Sequence, residues 1–268
     1  MNSVVNRDSV KFDNYVETRI EDNVIKESAI QISLNHGKNE LLNIGVIMRT
    51  PGKDNELIMG FLFCEGIISS KLDIDEIIIN DNIAIVQVNH NIEINKNIHE
   101  RMNTVTSSCG ICGRSGINDL LHFHGPKLSE EIKINMELIN KSLVLMRNKQ
   151  AMFTSTGGSH ACASFSDKGD LIDIQEDIGR HNAMDKLIGN MIICETNTLK
   201  NEYVVVSGRA SFELVYKSIK AGFPILISVG APSSLAIDVA IEHGLTLCSF
   251  AKNNKMTIYS GMRRIMKI

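Results

Sequence analysis

Two cysteines separated by two residues stand in the segment Thr106-Ser107-Ser108-Cys109-Gly110-Ile111-Cys112-Gly113-Arg114-Ser115-Gly116. A sulfur nucleophile must be a thiolate, and a free cysteine is mostly protonated at neutral pH, so a nearby cation such as Arg114 favours the reactive form. The flanking glycines let the backbone move and let a second large molecule approach the sulfur. Thiols at this spacing can share a sulfur atom, close a disulfide or hold a soft metal. Zinc needs four ligands, and the nearest further donors, His122 and His124, are not at the usual spacing. A thioredoxin-like dithiol has the right spacing but normally opens a helix in a much shorter domain. A structural role is weak, because cysteines among glycines pack little core. These readings stay open beside the one preferred, a sulfur carrier in which Cys109 holds a persulfide. The other four cysteines, Cys64, Cys162, Cys194 and Cys248, sit singly in apolar or small-residue runs and read as small buried hydrophobes.

A second group of polar, glycine-containing segments recurs along the chain. Phe153 to His160 precedes a predicted strand, and Glu176-Asp177-Ile178-Gly179-Arg180-His181-Asn182 bridges a strand to a helix. Ser207-Gly208-Arg209-Ala210-Ser211 and Gly230-Ala231-Pro232-Ser233-Ser234 do the same twice more. Loops at strand ends of an α/β sheet converge on one face, where helix N-termini favour anions. Two arginines, hydroxyls and backbone amides fit phosphate groups, although no loop is a Walker or dinucleotide fingerprint. Read singly, His160 and His181 are hydrogen-bonded structural histidines. Phe250-Ala251-Lys252-Asn253-Asn254-Lys255 follows the last long strand; it is either an exposed turn or a phosphate or guanine contact.

The elements that must position these residues fall into two patterns. Before about residue 102 the chain reads as a small α+β unit, with a strand from Ser28 to Ser33 and a helix from Glu56 to Glu65 ending at Gly66. Ile77 to Ile79 and Ile83 to Val88 flank Asn80-Asp81-Asn82 as a hairpin. From 103 to 268 the pattern becomes α/β. A helix is predicted from about Asn135 to Asn148, with Leu138, Ile139, Leu143 and Met146 on one face. Strands follow at Ala161–Phe165, Leu171–Gln175, Tyr203–Val206, Ile225–Val229 and Leu245–Phe250. Helices at Gly179–Met191, Ser211–Lys220 and Ser234–Glu242 complete the alternation, which requires crossover connections and a layered sheet.

The 268 residues, 43% of them apolar and without Trp, suffice for a sizeable Ile-, Leu-, Val- and Met-rich core. A balance of 28 basic against 31 acidic residues argues against a bulk nucleic-acid or membrane-surface binder. No apolar run approaches the ~18 residues of a membrane span, and the charged N-terminal segment has no signal-peptide core. A cytoplasmic location is therefore expected.

Taken together and in order, several segments resemble the FdhD family of formate dehydrogenase accessory sulfurtransferases. They are Thr50-Pro51-Gly52, Gly60-Phe61-Leu62-Phe63-Cys64-Glu65-Gly66, Cys109-Gly110-Ile111-Cys112-Gly113 and Glu176 to Lys186. Ser207-Gly208-Arg209, Gly230 to Ala236 and Phe250-Ala251 continue the resemblance. It implies a carrier that takes persulfide sulfur from a cysteine desulfurase and passes it to the bis-molybdopterin guanine dinucleotide cofactor needed by formate dehydrogenase. Carried over by position, Cys109 bears the persulfide, Cys112 is its partner, and Phe250, Ala251, Lys252, Asn253, Asn254 and Lys255 contact the cofactor, for which GDP is a mimic. The resemblance further implies a homodimer and a cytidine-deaminase-like three-layer α/β/α domain, here residues 103–268, preceded by the small α+β domain of residues 1–102. The deaminase reaction itself is not expected. It needs His-x-Glu with Pro-Cys-x-x-Cys, whereas Ser108 precedes Cys109 and no histidine has a glutamate two positions on. Two other functions stay open: a cofactor-binding chaperone without sulfur chemistry, and a dithiol oxidoreductase.

Overall fold

A computed structural model describes residues 3–37, 41–89, 123, 125–195 and 201–266. Cys109, Cys112, His122, His124 and the expected domain boundary at 102/103 lie outside these residues.

The chain begins with a two-stranded antiparallel ribbon, β1 (Val4–Asp13) and β2 (Val16–Ile25). Sequence patterning did not predict it, because both faces are largely solvated and no apolar alternation is needed. Phe12 is 70% exposed and Tyr15 fully so. The ribbon's base is fixed by Lys26 donating to the Ser3 carbonyl (2.9 Å), the Ser3 hydroxyl donating to the Pro51 carbonyl (3.0 Å) and Asn23 donating to Ser155 (3.3 Å).

A four-stranded sheet follows, ordered β4-β3-β6-β5 from β3 (Ser28–Asn35), β4 (Leu41–Arg49), β5 (Ile74–Asn80) and β6 (Ile83–Val88). The predicted Asn80-Asp81-Asn82 turn closes β5 onto β6, with Asp81 at φ 52°. Helix α1 (Asp54–Glu65) crosses this sheet and ends at Gly66 in the left-handed conformation. Leu57, Ile58 and Leu62 pack on Ile30, Ile32, Leu34 and Val86, all fully buried. Each such side chain contributes about 1.5–3 kcal/mol on burial.

The larger sheet is six-stranded, ordered β13-β12-β11-β10-β8-β9. Its strands are β8 (His160–Ser166), β9 (Leu171–Asp177), β10 (Glu202–Val206), β11 (Ile225–Ser228), β12 (Thr246–Lys252) and β13 (Lys255–Ser260). β10, β11 and β12 are mutually parallel, as the predicted crossovers require, while β8, β9 and β13 are antiparallel to their neighbours. Helices cover both faces. Val204, Val206, Leu226 and Leu247 meet α4 (Arg180–Ile193), α5 (Phe212–Ala221) and α6 (Ser234–Glu242). Tyr203, Val205, Ile225 and Ile227 meet α2 (Met136–Lys149), whose Ile139 and Met146 are buried as patterned. Asn135 caps α2 by accepting from the Leu138 amide at 2.9 Å. A short helix, α3 (Ala151–Thr156), occupies what the sequence suggested was a loop, and a small parallel pair joins β7 (Ile134–Asn135) to β14 (Ile265–Met266).

The two sheets are joined back to back through α1 and α4. A Cβ on Gly60 would stand 1.9 Å from the Asp185 carbonyl oxygen, and one on Gly189 would stand 1.8 Å from the Glu56 carbonyl oxygen. Only glycines allow this backbone-to-backbone approach. It leaves α1 covered by the small sheet on one side and by α4 on the other, so its sequence is apolar all round.

Candidate functional site at the strand ends

The start of β8 and the ends of β9, β10, β11 and β12 lie along one edge of the large sheet. His160 pairs with Asp177, and Val206 with Cys162. Backbone hydrogen bonds stitch the following loops into a continuous rim. Ser207 N–H donates to the Ala161 carbonyl (2.9 Å), Gly230 N–H to the Gly208 carbonyl (2.9 Å) and Phe250 N–H to the Gly230 carbonyl (3.1 Å). The expected convergence of the polar segments is therefore realised. Gly230 is required there, since a Cβ would lie 2.9 Å from the Arg209 backbone.

On this rim the Glu176–Lys186 segment folds into a buried clamp. Asp177 accepts from the Thr50 amide (3.1 Å), the Gly179 amide (2.9 Å) and Asn182 (3.0 Å), and pairs with Lys186 at 2.7 Å. Lys186 also donates to the Thr50 carbonyl at 2.9 Å, and Thr50 Oγ1 accepts from the Ile178 amide at 3.0 Å. The segment after β4 is thereby locked to the rim.

A second buried polar chain runs inward from His181. Its Nε2 stands 3.2 Å from the Ser211 hydroxyl and its Nδ1 3.3 Å from Glu213. Glu213 faces Lys217 at 3.5 Å, and Lys217 donates to both oxygens of Asp185 at 2.6 Å. Burial opposes the charge on Lys217, yet the carboxylates of Asp185 and Glu213 hold its pKa above that of ordinary lysine. Sequence reading missed this chain: its members fall on two helices and meet only when α4 packs against α5.

His160 is half-buried near Arg180 and Arg209. Burial and then those two cations lower its pKa below the usual histidine value, with Asp177 opposing them. Such a ring is neutral at neutral pH.

The expected cofactor segment is not a turn that follows the last strand. β12 continues to Lys252, and Phe250 to Lys255 is the bulged end of the β12–β13 hairpin. Asn253 and Asn254 form the tip with φ of 50° and 58°, the two-residue geometry that Asn tolerates. Phe250 has φ 56° at the bulge, a strained conformation for an aromatic residue, and its ring is 44% exposed. Lys252, Asn253, Asn254 and Lys255 are exposed, whereas the Ala251 side chain is buried in the core on the opposite face. Only its backbone is available to a ligand.

Of the lone cysteines, Cys64, Cys162 and Cys248 are buried as expected, but Cys194 is exposed. It caps the C-terminus of α4, one residue beyond Ile193, which still packs on the core of the small sheet. Among the described residues no group of three or more His, Cys, Asp or Glu side chains could hold a metal ion, and no helix is long and apolar enough to cross a membrane.

Residues 25–266 match the FdhD/NarQ family. The chain belongs to that family. It is similar to the sulfur carrier protein FdhD of Thermoplasma acidophilum, at 43% identity over 91% of this chain and 87% of the relative. The sulfur carrier protein FdhD of Saccharolobus solfataricus is 41% identical over 83% of this chain and 84% of its own length. In fold the chain is similar to a crystal structure from Desulfotalea psychrophila, assigned as a formate dehydrogenase accessory protein. The TM-score is 0.78 at 23% sequence identity, over 99% of this chain and 100% of the other.

Proposed function

We propose that this chain is a sulfurtransferase that accepts persulfide sulfur from a cysteine desulfurase and delivers it to the bis-molybdopterin guanine dinucleotide required by formate dehydrogenase. The observation that carries the reading is membership of a family in which a relative 43% identical to this chain is named a sulfur carrier, in a chain that holds the Cys109-Gly110-Ile111-Cys112 pair. Three other thiols are poor candidates. Cys64, Cys162 and Cys248 are buried, and burial pushes all three up, Cys248 to about 12.

In the proposed sequence the Cys109 thiolate attacks the terminal sulfur of the desulfurase persulfide. The donor's sulfur–sulfur bond breaks and its cysteine leaves as a thiolate. The Cys112 thiolate then attacks the Cys109 sulfur, closing a disulfide and expelling hydrosulfide, which the molybdenum takes up. The dithiol supplies the two electrons that turn sulfane sulfur into sulfide. Phe250, Lys252, Asn253, Asn254, Lys255 and the Ala251 backbone meet the cofactor's nucleotide end. A cytidine-deaminase-like fold for the domain of residues 103–268, a homodimer and a cytoplasmic location belong to the same proposal.

The test is mass spectrometry after incubation with a desulfurase and cysteine, together with activation of formate dehydrogenase in cells. One added sulfur on the Cys109 peptide is expected, with activation lost in Cys109→Ala and kept in Cys194→Ala. A Cys109→Ala variant that still activates the enzyme makes the chain a cofactor chaperone instead. Reduction of a model disulfide with no sulfur gained makes it a dithiol oxidoreductase.

A further inference from the structure

The β1–β2 ribbon is the part of the molecule that its own packing explains least. Between Asn6 and Val24 only Ser9 and Ile20 are half-buried, and every other side chain is exposed. The strand register sets Asp8 directly opposite Glu21, Val10 opposite Arg19 and Phe12 opposite Glu17, so these six side chains share one face. The other face pairs Arg7 with Asp22, Lys11 with Thr18 and Asp13 with Val16, and its charges cancel. On the Phe12 face Asp8, Glu17 and Glu21 stand against the single guanidinium of Arg19.

Like charges placed directly opposite destabilise a strand pair, and a two-stranded ribbon without a core is marginal to begin with. The Asp8–Glu21 pair therefore costs stability, with one hydrogen bond from Asn6 to Glu21 (3.1 Å) to offset it. Local conflicts of this kind fall at functional sites. Val10 and Phe12, exposed among the carboxylates, add an apolar, aromatic anchor of the kind that interfaces use. The acidic sign disfavours nucleic acid and anionic membranes, and it suits a protein surface that carries lysines and arginines around an apolar pocket. The base of the ribbon is tied to the body by the Ser3 bond to Pro51 and the Asn23 bond to Ser155, so a partner held there is held to the folded core.

We propose that the face formed by Asp8, Phe12, Glu17 and Glu21 is the docking surface for a protein with a basic, apolar patch, namely the sulfur donor. This assignment rests on the reading of the chain as a sulfurtransferase. In that reading the passage of sulfur to Cys109 is the step between two proteins, whereas delivery is to a cofactor. Opposite charge steers such an encounter and makes it sensitive to salt.

The test measures how fast the full chain gains sulfur at rising concentrations of a cysteine desulfurase, beside desulfurase binding by calorimetry. Asp8→Lys discriminates, because it sets a cation opposite Glu21 and strengthens the ribbon. It should nevertheless raise both the dissociation constant and the desulfurase concentration for half-maximal loading by at least about tenfold, with the maximal rate unchanged. Phe12→Ala should act in the same direction, and Thr18→Ala on the opposite face should do neither. Raising salt from about 0.05 M to about 0.5 M should weaken wild type more than Asp8→Lys. Inorganic polysulfide, a donor that needs no docking, should load all variants alike. Desulfurase binding to Asp8→Lys and Phe12→Ala as tight as to wild type overturns the docking surface; if Cys109 still gains sulfur, the sulfurtransferase reading survives. Binding lost in these variants, with no sulfur gained by wild type from either donor, keeps the surface and removes the sulfurtransferase reading. A wild type that does not bind the desulfurase overturns the proposal, as do variants whose sole effect is to dissociate a dimer, which make the occupant a second copy.

Discussion

His160 shows how single residues at the rim feel their surroundings. An isolated histidine titrates near pH 6.5, but burial, Arg180 and Arg209 all favour the neutral ring. The unfolded chain therefore binds this proton at a pH where the folded chain does not. The resulting stabilisation is complete above pH ~6.5 and is lost as the pH falls below that value towards the lower folded pKa. His160→Gln should accordingly flatten the decline in melting temperature between about pH 7.5 and 5.5. A ring titration midpoint at or above 6.5 would contradict the lowering by burial and by the two arginines.

At the scale of elements, the contact between α1 and α4 depends on two missing side chains. Gly60→Ala and Gly189→Ala each drive a methyl into a carbonyl of the facing helix. Overpacking of this kind costs about 1–3 kcal/mol, and an obstruction by backbone places it at the upper end. Chemical denaturation should show that loss for either variant. Val144→Ala on the exposed side of α2, where the valine is 61% exposed, should stay within about 0.5 kcal/mol of wild type. A neutral Gly60→Ala would mean that the helices can separate without penalty. Elements with a clear hydrophobic period or a fully apolar run were legible in the sequence: α2, the β5–β6 hairpin and the β10–α5–β11–α6–β12 alternation formed where patterning put them. Strands without that signal were not, as in the solvated β1–β2 ribbon, and in β4 and β13, which only pairing defines.

For the molecule as a whole, buried charge joins segments far apart in the chain. Thr50 precedes α1, Asp177 ends β9 and Lys186 lies within α4, and their mutual bonds connect the small sheet's helix to the rim of the large sheet. Lys186→Met leaves the fully buried Asp177 without its cation. Breaking one side of a buried pair costs about 3–5 kcal/mol, and neutralising both sides restores much of it. Equilibrium unfolding should show that loss in Lys186→Met and a partial return in Asp177→Asn combined with Lys186→Met. Additive effects of the two changes would show that the pair is not coupled.

What the sequence by itself determined was local: hydrophobic period, turn chemistry, helix caps and the thiol pair are properties of neighbours along the chain. From these followed a layered α/β sheet whose polar loops share one edge. Only the tertiary structure decided that Arg180 and Arg209 stand close enough to His160 to act on it, that His181 heads a buried chain to Asp185, that Ala251 faces inward and that Cys194 faces out. Each of these depends on the placement of one element against another, because charge and burial act through space at distances that sequence separation does not encode.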